Sequence, residues 1–66
     1  MNINRLKGAV YQRGLTLEEL ASQTGIPRST IWRNFKANNM SLVQVKKIKD
    51  ALRLTNEEVL SIFFEN

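Results

Sequence analysis

Sixty-six residues permit one domain, and a chain this short buries only about 60% of the surface it exposes when unfolded, so its core must be economical. With no cysteine and no histidine, disulfide staples, the usual metal ligands, sulfur nucleophiles and imidazole proton shuttles are all excluded. Ten Lys and Arg against six Asp and Glu give a net charge of +4, which suits a polyanionic partner without requiring one.

The remaining chemistry is equally sparse. The carboxylates fall as Glu18-Glu19, Asp50, Glu57-Glu58 and Glu65, in settings that read as helix ends or solvated faces, and three glycines make no phosphate loop. The expectation is a protein that is not an enzyme, with no cofactor, no metal and no small-molecule substrate. No apolar run approaches a membrane span of about 18 residues, and MNINRLKGAVYQRG lacks the apolar stretch of a signal peptide. A cytoplasmic setting is expected, which the lack of cysteine fits.

In chain order, Ile3, Leu6 and Val10 mark a first helix at helical spacing, ending near Gly14 as a left-handed terminator. In LTLEEL, Thr16 is placed to cap a second helix while Glu19, three residues on, reaches back to the cap's own N–H. Leu15 and Leu20 flank that cap as a hydrophobic staple. The second helix is predicted from Leu17 to about Thr24, with Leu20 and Ala21 inward. Gly25 supplies a turn, and Pro27 is expected at the first position of a third helix, where its missing N–H costs nothing. Ile31 and Phe35, four apart, form that helix's buried side.

After the turn-prone KANNM, Ser41 is predicted to cap a fourth helix that turns Leu42, Val45, Ile48 and Leu52 inward. Thr55 or Asn56 caps a fifth, with Glu57 and Glu58 in the first turn where the helix dipole favours negative charge. Val59, Leu60, Phe63 and Ile62 are candidates to close the core. No strand alternation, internal repeat or linker interrupts the chain, so residues 1–66 are predicted to form a single all-α domain of five helices.

The third helix, within GIPRSTIWRNFK, carries the candidate chemistry. With Ile31 and Phe35 inward, 100° per residue turns Arg28, Ser29, Trp32, Arg33 and Lys36 to other faces. Arginine can fork onto guanine O6 and N7, serine can bond base edges or phosphates, and tryptophan offers apolar contact to thymine methyls or sugars. Two arginines on a helix are more often merely solvated, and a tryptophan is more often core. Trp32, however, neighbours inward-facing Ile31, so at least half of it is expected to be exposed.

Spacing across helices two and three sharpens the reading. In L-A-x-x-x-G-I-x-x-x-x-I, Ala21 is small where two helices cross, Gly25 permits the sharp turn, and Ile26 and Ile31 plug the angle between them. Those are the requirements of a helix-turn-helix, whose second helix reads DNA in the major groove.

From Leu6 to Leu60 the chain resembles the Cro/C1-type (XRE) helix-turn-helix family, most strongly in GLTLEELASQTGIPRSTIWR and in the close KIKDALRLTNEEV. The resemblance implies a five-helix, lambda-repressor-like fold, double-stranded operator DNA as partner and a two-fold homodimer, at least on DNA. By position it implies base reading by Arg28, Ser29, Trp32 and Arg33. It implies phosphate contacts from Thr16, the backbone N–H at Leu17, Lys36, Asn38 and Asn39.

Several positions depart from the family pattern. Leu17 replaces a polar residue, Pro27 replaces a hydroxyl cap and Asn34 replaces an apolar residue. The family's buried arginine–glutamate pair falls on Val10 and Phe35, which are expected to pack directly, because apolar replacement of such a pair removes two desolvation costs together.

The function expected from the resemblance is a Cro-like repressor of a phage or mobile element, acting in the bacterial cytoplasm at the nucleoid. An alternative is a protein-interaction module of the same fold, an antirepressor that binds a larger repressor. The tail motivates it. Ile62, Phe63 and Phe64 are consecutive apolar residues that cannot all face one core, so one of them is a candidate dimer or partner contact. The initial Met and the absence of a linker favour a complete chain over an excised N-terminal domain.

Overall fold

A computed structural model describes residues 1–65, folded into five helices with no strand among the described residues and packed within 25 × 21 × 19 Å. The helices are α1 (Ile3–Gln12), α2 (Leu17–Thr24), α3 (Arg28–Lys36), α4 (Leu42–Leu52) and α5 (Asn56–Val59). The last runs without a break into a π-helical turn, Leu60–Phe64.

Local chemistry sets most of these boundaries. Asn2, Thr16, Ser41 and Thr55 each accept a hydrogen bond from the backbone N–H three residues on, relieving one orphan donor at the start of α1, α2, α4 and α5. At Thr16, Ser41 and Thr55 the bond is reciprocal, because Glu19, Gln44 and Glu58 return to the capping residue's own N–H. α2 stops at Gly25 with φ of +73°, and the chain leaves α1 through Gly14 at +70°, both in the left-handed region open to glycine. Arg53 ends α4 in the same region without glycine's freedom, at +54°.

The helices enclose one core. Leu6, Ala9 and Val10 of α1 meet Leu20, Ile31 and Phe35 from the helix-turn-helix, with Val45, Ile48 and Leu52 from α4. Leu54, Ile62 and Phe63 close it from the C-terminal side, and α4 packs on α2. Val10 and Phe35 share this core, and the aromatic neighbour of Phe35 is Phe63, with ring centroids 5.3 Å apart.

The two ends of the chain are tied together. The Asn2 N–H donates to the Ile62 carbonyl at 2.8 Å, and Arg5 donates to the carbonyl and hydroxyl of Ser61. Arg13, just past α1, donates to the carbonyls of Leu52 and Ala9 and forks onto both oxygens of Glu58 at 2.9 and 3.0 Å. Glu58 thus serves as the return arm of a cap and as the anchor of α1. The Thr55 N–H and the Arg13 guanidinium both stabilise its carboxylate, and they hold its pKa below the ordinary value.

Four expectations are corrected. Leu42, predicted inward, is 78% exposed: it opens α4 before the helix reaches the core, and Val45, Ile48 and Leu52 carry the buried stripe. Leu60, predicted to close the core, is also exposed. Pro27 precedes α3 as its cap residue, at ψ 142°, instead of occupying its first turn. Ile62 and Phe63, candidates for partner contact, are both buried, which leaves Phe64 exposed. Adjacent residues on a helix can both face a core that wraps around it, as Ala9 and Val10 do on α1, and Ile62 and Phe63 do the same on the π-helical stretch.

Candidate nucleic-acid interface

The turn between α2 and α3 is fixed from inside. Thr24, the one buried polar side chain among the described residues, donates its hydroxyl to the Leu20 carbonyl at 2.9 Å and accepts from the Ile26 N–H at 3.2 Å. With Gly25 donating to the Ala21 carbonyl, the direction of the chain entering α3 is set by hydrogen bonds as well as by buried Ile26. In the sequence Thr24 reads only as the end of α2. Its position directly before a turn glycine was the available signal.

α3 then divides cleanly. Ile31 and Phe35 are buried, while Arg28, Ser29, Arg33 and Lys36 are exposed and Trp32 keeps 41% of its surface open, somewhat less than the half expected. Pro27 offers no side-chain cap, and the first backbone bond of α3 runs from the Ile31 N–H to the Pro27 carbonyl. The N–H groups of Arg28, Ser29 and Thr30 therefore point out of the helix start without intrahelical acceptors.

Three adjoining surface depressions share residues along this face. Thr16, Leu17, Glu18 and Arg28 line one; Lys7, Arg28, Ser29 and Trp32 line the next, a groove of about 650 Å³; Trp32, Arg33, Lys36 and Ala37 line the third. The strip thus runs from the start of α2 along the length of α3. It brings together every candidate base-reading residue and three of the five candidate phosphate contacts: Thr16, Leu17 and Lys36. At its α2 end the Thr16 oxygen is occupied as an acceptor by the Glu19 N–H, leaving its hydroxyl proton free to donate, next to the unpaired N–H groups of Leu17 and Glu18. Asn38 and Asn39 lie past the end of α3, exposed. Asn38 adopts φ of +51° and its side-chain oxygen accepts from the amino-terminal ammonium at 3.0 Å.

Two neighbours of the strip escaped the sequence reading, since both come from helices other than α3. Glu18 stands 4.0 Å from Arg28, a loose ion pair with both side chains mostly exposed. Lys7 of α1 holds its ammonium 4.4 Å from the Trp32 ring centroid.

The family described as the Cro/C1-type helix-turn-helix DNA-binding domain matches residues 5–65 of the chain. The chain belongs to this family. Neither the curated proteins nor the solved structures yielded a match. As a Cro/C1-type domain the protein is a double-stranded DNA-binding regulator, and the basic net charge has its partner. Among the described residues no helix is long and apolar enough to cross a membrane.

Proposed function

We propose that this Cro/C1-type protein is a repressor of the Cro kind, of a phage or mobile element, which occupies operator DNA by laying α3 in the major groove. The observation that carries the reading is the exposed strip of Arg28, Ser29, Trp32 and Arg33, opposite buried Ile31 and Phe35. A surface that only occupies DNA represses by excluding polymerase or a rival regulator, and it needs no further contact to do so. In this reading Arg28 and Arg33 discriminate bases, Ser29 and Trp32 complete the contact, and Thr16, the Leu17 N–H, Lys36, Asn38 and Asn39 hold phosphates.

Leu60 and Phe64, 53% and 59% exposed on the last turns of the chain, suit the two-fold pairing that operator half-sites require. Phe64→Ser is expected to weaken self-association on DNA and to leave the fold intact, as checked by band-shift stoichiometry and by melting.

Selection of duplexes from a random pool, followed by salt titration of the best binder, tests the repressor. A shared motif with inverted half-sites and an affinity falling steeply with salt is the expected result. The same apolar pair favours a second reading, an antirepressor that docks on a larger repressor. No enriched motif, together with repressor binding that survives Arg28→Ala and Arg33→Ala, would decide for that alternative.

A further inference from the structure

Trp32 is the single tryptophan of the chain and the largest side chain on the outer face of α3. An indole so exposed has several rotamers open to it, and any contact it makes must first pay for ordering them. Here one side of the ring is already taken. The Lys7 ammonium stands 4.4 Å from its centroid, across the groove that also holds Arg28 and Ser29. Lys7 itself is exposed on α1, beside fully buried Leu6, so its backbone is held by the core while its side chain crosses to α3. The ion pairs among the described residues engage Arg5, Arg13 and Arg28, and none of the described carboxylates pairs with this ammonium.

We propose that Lys7 is a positioning residue for DNA discrimination, whose ammonium holds the Trp32 indole in the orientation that the reading face requires. This inference rests on α3 being the base-reading helix. An exposed contact between a cation and an aromatic face shifts a rotamer equilibrium by a factor of about two to five, and a ring ordered beforehand spares the complex that ordering. The benefit falls on the duplex whose edges fit the ordered ring, so it appears in preference more than in affinity at large. A lysine serving only as a phosphate contact behaves differently: it weakens every duplex alike when removed and lowers the salt slope by about one.

The test uses the full chain and two duplexes, the one selected from the random pool and a scrambled version of it. Lys7→Gln removes the charge and keeps most of the stem, while Lys7→Arg keeps a cation able to lie on the ring. Acrylamide quenching reads Trp32 alone, because no other tryptophan is present. Lys7→Gln is expected to raise quenching in the free protein and to lower the selected-to-scrambled affinity ratio about two- to five-fold. Lys7→Arg is expected to restore both, and in a Trp32→Leu background Lys7→Gln should no longer change the ratio.

Equal weakening on both duplexes with unchanged quenching would overturn the proposal in favour of a phosphate contact. A loss of ratio that persists in the Trp32→Leu background would overturn it in favour of direct base contact by Lys7. If Trp32→Leu lowers the ratio and Lys7→Gln does not, the positioning role alone fails. If Trp32→Leu leaves the ratio at the wild-type level, the base-reading role of Trp32 fails and takes the proposal with it.

Discussion

Arg28 and Lys36 carry the same charge on the same helix, yet their surroundings assign them different work. Arg28 sits in the first turn of α3 between two depressions, with Glu18 4.0 Å away and no tighter partner among the described residues, so its guanidinium can fork onto a base. Lys36 lies in the last turn, a compact charge on a flexible stem near the end of the strip. Arg28→Ala should therefore cost about 1–3 kcal/mol at one base pair and relax preference there, read by titrating single-base variants of the selected duplex. Lys36→Ala should weaken all duplexes alike and reduce the salt slope by about one, read from affinity at several salt concentrations. If the two substitutions behave identically, the division between reading and holding is wrong. The loose Glu18 pair contributes little to folding, being exposed on both sides.

Among the elements, α2 was the most legible in the sequence. Thr16 and Glu19 at capping-box spacing, with Gly25 at the far end, place both boundaries by local hydrogen bonding, and the structure has them there. Thr16→Ala should lower stability by about 0.5–2 kcal/mol in urea unfolding, through loss of the acceptor for the Glu19 N–H. α4 was legible at its Ser41 cap but less so in its first turn and at its stop. Its first residue, Leu42, fits the apolar period yet lies outside the packed zone, and its terminator, Arg53, is not a residue that announces a left-handed stop. Arg53→Gly should raise stability by up to about 1 kcal/mol, because the strain of a side chain at φ of +54° exceeds the entropy glycine adds to the unfolded chain. A shift of the thermal midpoint upward would show it, and a downward shift would mean that the Arg53 side chain contributes more than its backbone costs. The π turn was beyond sequence reasoning, since periodicity assumes the α-helical angle that this turn abandons.

At the scale of the molecule, the Arg13–Glu58 pair fastens α1 to α5 and makes stability depend on pH. The Glu58 pKa is lowered in the folded protein, first by the Thr55 N–H and then by Arg13, so below the ordinary glutamate value the unfolded chain binds the proton more readily. Its contribution is complete above about pH 4.5, the ordinary value, and is lost as pH falls through the depressed folded value. Glu58→Gln should accordingly be less stable than the parent at neutral pH, with the gap closing in melts taken toward pH 3. A gap constant across that range would remove Glu58 as its source.

The helical class, the caps at Thr16 and Ser41, the turn at Gly25 and the inward pair of Ile31 and Phe35 were all determined by the sequence, because each rests on residues no more than four apart. The exposed identity of α3 followed from that inward pair. The sequence left Thr55 and Asn56 as alternative caps of α5, and the structure chose Thr55. Only the tertiary structure decided that Arg13 meets Glu58 across 45 positions, that Ile62 and Phe63 are core while Phe64 is not, and that Lys7 covers Trp32. Such contacts join helices whose relative placement is fixed by the shared core, and no local spacing encodes which side chains that placement brings together.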